Sequence, residues 1–355
     1  MPDGDGMGFP SLEELAGWIG LSDAEAVRAL HARAYAEKTA VIGRRVSMRG
    51  LIEAGNVCAK DCRYCGIRAS NQNLTRYRLT QEEIVAGAHF AAASGYGSVV
   101  IQSGEIESEA HTRFIEEVLR AIAPLKLGVT LSLGEQTEDV YRRWRDAGAT
   151  RYLLRIETSN PALYAALHPA TCSFERRVEC LRALRRCGYQ VGTGVMAGLP
   201  GQTLEDLARD IVFFRDIDAD MIGMGPYIPH PDTPLAAEAS GWSAEAALRL
   251  GLNMIAATRL ALRDVNIAAA TALQALDPLG REKGLLAGAN VVMPNVTDAK
   301  YRAQYKLYAN KPCLDENAAL CRGCLQRRIE SIGETVLWGV PGDSAHFFAR
   351  TRSVL

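Results

Sequence analysis

The stretch SVVIQSGEIESEAHTRFIEEVLRAIAPLKLGVTLSLG, residues 98–134, decides the fold. It opens on an apolar, β-rich run (98–104) and passes into a segment with apolar residues at three- and four-residue intervals (108–124). It then returns to a second β-rich run (128–134), the order of a strand–helix–strand unit. The same alternation continues outward. Further strand candidates are 46–54, 151–158, 190–198, 221–228, 266–273 and 290–295, eight in all with the first two. Between them lie helical patterns: TQEEIVAGAHFAAASG, TEDVYRRWRDAG, SFERRVECLRALRRCG, TLEDLARDIVFFRDI, SAEAALRLGLNMIAATRLALR and LGREKGLLAG. Several open on Ser or Thr with an acid two or three residues on, and several end on Gly, as caps prefer. Eight βα units with no linker predict a single parallel (β/α)8 barrel of the TIM type, with reactive groups on the C-terminal rim of its strands. A doubly wound open sheet is the alternative. Residues 1–45 read as a helical extension, 46–300 as the barrel, and 301–355 as a Tyr- and Cys-bearing segment that caps one end.

The chain has 355 residues, 40 Lys plus Arg against 41 Asp plus Glu, and a formal net charge of −1. So even a balance argues against a nucleic-acid or anionic-membrane surface, and 48% hydrophobic with 23% charged residues argues against disorder. There are nine Cys, an odd number, and the N-terminal segment lacks the basic and apolar regions of a secretory signal. Without a long apolar run to span a membrane, the expected compartment is the reducing cytoplasm, where clustered Cys points to metal or redox chemistry.

The first strand runs into Asn56-Val57-Cys58-Ala59-Lys60-Asp61-Cys62-Arg63-Tyr64-Cys65. Cys58, Cys62 and Cys65 can hold one face of a metal centre, with no fourth Cys or His close by; a structural zinc site would close its tetrahedron, whereas a catalytic centre keeps a position open. The plain alternatives are a zinc knuckle or three core cysteines. This loop, C-x3-C-x-aromatic-C directly after the first strand of a βα barrel, resembles the radical S-adenosylmethionine (SAM) enzymes. The resemblance implies that the three Cys hold a [4Fe–4S] cluster whose open iron binds the amino and carboxylate groups of SAM. It also implies reductive cleavage of SAM to a 5′-deoxyadenosyl radical, with Tyr64 near the adenine.

In RYLLRIET (151–158) the period of two puts Leu153, Arg155 and Glu157 on one face. An inward Arg and Glu can take the carboxylate and ammonium of an amino-acid-like ligand; a buried structural ion pair is the alternative. The resemblance assigns Glu157 to the amino or ribose groups of SAM, Arg177 to its carboxylate and Arg155 to the substrate. Further rim candidates are Gln102, Ser103 and Glu105, Ser132 and Glu135, and Thr193 and Met196. Gln102, Ser132, Met196, Met221 and Tyr308 are the additional cofactor contacts expected, although the two Met suit core packing equally well. GLPGQT (198–203) reads first as a turn and helix cap, and His230 in a Pro-rich loop as a structural residue. Cys313, Cys321 and Cys324 form a second triplet in the tail, read as an auxiliary [2Fe–2S] or [4Fe–4S] cluster, a zinc site, or free thiols. Cys172, Cys180 and Cys187 read as packing.

Along the barrel, RYRLT (76–80), IQSGE (101–105), TLSLGEQ (130–136), RYLLRIETSNP (151–161), GVMAGLPGQT (194–203), GMGPYIPHPDTPL (223–235) and GANVVMPN (288–295) are similar to one branch, the HydE-type [FeFe]-hydrogenase maturases. Methylornithine synthases of pyrrolysine biosynthesis, which act on lysine, and biotin synthases are related alternatives, and a non-enzymatic iron–sulfur scaffold is another class. HydE resemblance implies a cysteine-bearing Fe(CO)2(CN) synthon as substrate in assembly of the hydrogenase active site. It also implies an electron donor such as flavodoxin or ferredoxin, and other hydrogenase maturases as partners. It puts Arg155, Thr271 and Tyr305 in the reaction pocket. One departure stands out: where that branch has a Thr-Thr pair on strand seven, this chain has Ala270-Thr271. No coiled-coil face is evident, so a monomer is expected.

Overall fold

The computed structural model describes residues 8–312 and 318–352, with the backbone alone for 318–321 and 352. Two helices come first, α1 (Leu12–Gly20) and α2 (Ala24–Val41). Ser11 starts the first in a capping box with Glu14, and Asp23 starts the second through the amides of Glu25 and Ala26. The alternating units follow: β1 (Arg45–Gly55), α3 (Gln81–Ala93), β2 (Ser98–Ser103), α4 (Glu109–Ile122), β3 (Gly128–Ser132), α5 (Glu138–Asp146), β4 (Arg151–Leu153), α6 (Pro161–Leu167), α7 (Phe174–Arg186), β5 (Gln190–Thr193), β6 (Met196–Ala197) and α8 (Leu204–Asp216). Next come β7 (Met221–Ile222), β8 (Gly225–Pro226), α9 (Ala244–Ala261), β9 (Asn266–Ile267), α10 (Thr271–Leu276), α11 (Gly280–Leu286) and β10 (Val291–Val292). The tail holds α12 (Ala299–Arg302), α13 (Ala318–Ser331), β11 (Thr335–Leu337) and α14 (Ala345–Arg352).

The strand order β10-β1-β2-β3-β4-β5-β7-β9 is parallel throughout. Its two ends meet. Ala268 bridges Val291, the Asn290 amide donates to the Ile267 carbonyl at 2.9 Å, and the Ala269 amide donates to the Val291 carbonyl at 2.9 Å. Eight staves therefore close into a (β/α)8 barrel, and the open doubly wound sheet is excluded. The helices turn one apolar face inward, as Ile115, Val118, Leu119 and Ile122 do on α4. Outside this ring α1 packs on α8 and α9, and α2 on α9.

Several strands are shorter than their sequence pattern. The run 151–158 is strand only to Leu153, while 190–198 and 221–228 each break into two pieces. At the break Gly194 allows a close approach, since a Cβ there would sit 1.9 Å from the Gly223 carbonyl oxygen; the two segments stay side by side, the Gly223 amide donating to the Thr193 carbonyl and the Tyr227 amide to the Ala197 carbonyl, so that β6 pairs with β8 above the barrel. The run 266–273 ends as strand at Ile267, and Thr271 is the first residue of α10 rather than part of strand seven. Helix α6, started by Asn160 with Pro161 at its first position, has no counterpart in the periodicity reading.

The tail serves both ends of the barrel. Residues 305–311 pass over the C-terminal rim, whereas β11 pairs in parallel with the start of β1, Arg45 opposite Thr335. The chain then plugs the N-terminal mouth. Arg151 donates to the Pro341 carbonyl at 2.8 Å and pairs with Asp343, Gln190 donates to Asp343 at 2.6 Å, and the Gly342 carbonyl accepts from Arg49 at 3.1 Å and Asn266 at 3.0 Å.

Candidate active site

A cavity of about 320 Å³ opens at the C-terminal rim, in the size range of small-molecule sites. It brings together Cys58, Cys62, Cys65, Tyr64, Gln102, Ser132, Arg155, Glu157, Arg177, Met196, Thr271, Tyr305 and Tyr308. Met221 is not among its walls: it faces a smaller cavity beneath and accepts a hydrogen bond from Arg49 at 2.9 Å, because the strand residue points down the barrel. Cys313 and the Cys321 side chain lie outside the described residues, and Cys324 is exposed. Thr193 is structural, accepting from the Ile156 amide at 3.2 Å and donating to the Leu154 carbonyl at 3.0 Å.

The Cys loop is held by Arg76, whose guanidinium donates to five carbonyls: Asn56 at 2.7 Å, Ile67 at 2.8 Å, Arg68 at 2.6 Å, Ala69 at 3.3 Å and Asn71 at 3.0 Å. Gly104 lets the loop lie on β2, since a Cβ there would meet the Val57 carbonyl oxygen at 2.3 Å. The Cys58 sulfur accepts from the amides of Lys60 at 3.4 Å and Glu105 at 3.3 Å, a pattern that favours the thiolate. Burial pushes all three thiols up, Cys65 to about 12, and Cys62 and Cys65 also feel the charge of neighbouring Cys. Three sulfurs sharing one charge environment suit a cationic centre, which reverses that shift. Among the described residues no three His, Cys, Asp or Glu side chains converge on a single ion. An iron–sulfur cluster does not require this, because each thiolate binds a different iron. The donor set thus fits a [4Fe–4S] cluster with one iron left for a small ligand.

Glu157 stands beside this loop with φ +65°, in the left-handed region that residues with a Cβ rarely adopt, and such strain clusters at functional sites. Arg155 donates to its carboxylate at 2.8 Å, and the Arg155 Nε is buried without a partner among the described residues. Burial pushes the Glu157 carboxyl up, with Arg155 and Arg177 opposing. Burial works against the charge on Arg177, but Glu135 at 2.7 Å, Tyr164 at 3.3 Å and Glu105 outweigh it and hold the guanidinium charged. His168 links this network to Tyr64. Its Nδ1 lies 2.8 Å from the Tyr164 carbonyl and so must donate, leaving Nε2 to accept from the Tyr64 hydroxyl at 3.1 Å. Burial lowers the His168 pKa to about 4, which agrees with a neutral ring.

Sequence reasoning missed Glu53 and Lys311, which form an ion pair in the cavity wall, with Asn295 donating to Glu53 at 2.9 Å and Lys311 to the Tyr305 carbonyl at 2.9 Å. Glu53 carried a usable signal, an acid near the C-terminal end of a barrel strand, just like Glu157. Lys311 carried none. The Thr271 hydroxyl accepts from Arg281 at 3.1 Å.

A family model described as the radical SAM superfamily matches residues 52–214. The [FeFe] hydrogenase maturase subunit HydE of Thermotoga maritima is 47% identical over 292 residues, 82% of each chain. A 3-methylornithine synthase of Methanosarcina acetivorans is 27% identical over 284 residues, 79% of this chain and 78% of that one. The crystal structure of methylornithine synthase (PylB) superposes with a TM-score of 0.79 at 25% identity, covering 97% of this chain and 96% of the other. That of the maturase HydG does so at 0.78 and 18% identity, covering 97% of this chain and 78% of the other, a likeness of fold. The barrel, the three-cysteine loop at its rim and these similarities agree, and the chain belongs to the radical SAM superfamily of enzymes, in the family of the [FeFe]-hydrogenase maturase HydE.

Proposed function

We propose that the chain is a radical SAM maturase of [FeFe]-hydrogenase that acts on a cysteine-bound Fe(CO)2(CN) synthon. The observation that carries this reading is the Arg155–Glu157 pair standing in one cavity with Cys58, Cys62 and Cys65. In it, the three Cys hold a [4Fe–4S] cluster, and the cluster with bound SAM supplies one-electron cleavage of the sulfonium. Glu157 takes the amino end of SAM and Arg177, kept charged by Glu135, its carboxylate. Tyr64, fixed by His168, and Met196 form the apolar wall for the adenosine, beside Leu199, Tyr227 and Leu235. Gln102, Ser132 and Tyr308 line the same space.

Arg155 is the carboxylate anchor for the cysteine of the substrate, since its Nε awaits an acceptor and its side chain is one-third exposed. Thr271 and Tyr305 close the pocket behind it. Thr271, held by Arg281 at the start of α10, presents a single hydroxyl where the related enzymes have two. The tail cysteines 313, 321 and 324 would supply three ligands to an auxiliary cluster, the reading their spacing favours over a zinc site or free thiols. An acidic one-electron carrier such as flavodoxin or ferredoxin supplies the reductant, and the other maturases deliver and receive the synthon.

Anaerobically reconstituted protein tests the reading. It is expected to give a [4Fe–4S]+ EPR signal that shifts on adding SAM, and to consume the cysteine-bound iron synthon under reductant. Methylornithine formed from lysine, or a cluster-replete protein with neither EPR shift nor SAM cleavage, overturns it.

A further inference from the structure

We propose that Asp210 is a positioning residue that holds Glu157 in its cavity-facing conformation. Asp210 lies on α8, outside the barrel, fully buried and absent from the cavity wall. One carboxylate oxygen accepts from the Ser159 amide at 2.6 Å, and the other is buried with no partner among the described residues. Burial pushes its carboxyl up to about 7, with Asp206 and Glu157 adding to the shift. It caps no helix. A buried acid bonded to Ser159 alone, with one orphaned oxygen, costs the fold more than an apolar side chain would, so Ser159 is where its role lies.

That bond falls where Glu157 needs it. Before and at Glu157, the backbone is tied to β5 and its continuation: the Ile156 amide donates to Thr193, the Glu157 amide to the Gly194 carbonyl at 3.0 Å, and the Glu157 carbonyl accepts from the Met196 amide at 3.2 Å. On the side after it, the ties to another element come from α8, Asp210 to the Ser159 amide and Asp206 to the Asn160 side chain at 2.9 Å. Asp206 is already committed to capping α8 through Thr203. The bonds to Gly194 and Met196 hold Glu157 at φ +65°, and the Asp210 bond holds the Thr158–Ser159 peptide that follows, so the turn is anchored beyond Glu157 as well and its carboxylate is kept on Arg155.

The inference rests on reading Glu157 as the ligand for the amino end of SAM, and the test separates the two. Cluster-reconstituted wild type, Glu157→Ala, Asp210→Leu and Asp210→Asn are compared by equilibrium SAM binding without reductant, by KM and kcat for SAM cleavage, and by amide hydrogen exchange at Ser159 in metal-free protein. Asp210→Leu keeps the branching at Cγ without an acceptor; should its larger methyls prevent folding, Asp210→Ala replaces it. Leu is expected to weaken SAM binding about tenfold or more, raise KM in step, leave kcat at saturating SAM within about twofold, and speed Ser159 exchange. Asn is expected to restore all three, since its amide oxygen accepts the same bond. Wild-type SAM affinity in Asp210→Leu, or failure of Asp210→Asn to rescue it, overturns the role of Asp210. Unchanged affinity in Glu157→Ala overturns the reading of Glu157 instead.

Discussion

The two mouths of the barrel carry similar side chains and put them to different use. At the N-terminal mouth Arg49 and Arg151 are buried beside Asp343 with tail carbonyls packed against them, and the barrel interior above Arg49 leaves about 20 Å³, room for one water. At the C-terminal rim Arg155 and Arg177 stand beside Glu157, Glu135 and Glu105 around about 320 Å³. Below, burial lowers the pKa of both guanidiniums. Above, carboxylates keep Arg177 charged. A buried charge marks function where it borders space, and marks architecture where protein fills the space around it.

The largest expected effect tests whether the rim holds the chemistry. Cys58→Ser is expected to abolish SAM cleavage and the SAM-shifted EPR signal, while Cys324→Ser leaves both intact; loss of both signals in the tail variant would place the essential metal there. Next comes the lower mouth. Asp343→Ala leaves Arg151 without its carboxylate and is expected to cost about 3 kcal/mol in denaturant melts, with SAM affinity unchanged. The mirror experiment is Arg155→Ala at the rim. It is expected to weaken substrate binding about tenfold and to change stability by under about 1 kcal/mol, because its partner Glu157 still has cavity water and the charge of Arg177. Equal stability losses for Arg155→Ala and Asp343→Ala would erase the contrast.

The smallest effect concerns the clasp that holds the lower plug. His346 on α14 bonds Asp218 at 2.6 Å and Asp264 at 3.1 Å, and these bonds raise its pKa from 6.5 to about 10. The folded value exceeds the unfolded one, so this stabilisation is full below about pH 6.5 and is lost as pH rises through about 10. Against His346→Gln, wild type is expected to be more stable by about 1 kcal/mol at pH 7, after discounting for partly exposed partners, and no more stable above pH 10, as read by thermal melts across that range.

The rim was largely legible because barrel architecture turns short sequence patterns into places. Arg155 and Glu157 stand out as charges in a β-rich run, and the Cys spacing announces its loop. All the helical patterns between the strand candidates are helices. What escaped depends on contacts across long separations. The breaks that end β5 and β7 fall at the close backbone approach of Gly194 to Gly223, which no local period encodes. Thr271 begins a helix after a run whose signals conflict, Thr favouring strand and Ala helix. Met221 has the right strand but the wrong end of it, since two residues decide whether a side chain looks up or down. Lys311 reaches Glu53 only after the chain has passed once around the barrel.

The pairing of β11 with β1 bears on how the chain reaches this shape. Ser47 aligns with Leu337 of β11, roughly 290 residues later, and with Val291 of β10, so the first stave emerging from a ribosome finds these neighbours among the last to arrive. Until then its apolar edge is unpaired and Arg151 has no counter-charge. Barrel closure therefore waits for β10, and the strand that caps the lower mouth, β11, joins β1 only after all eight staves are made.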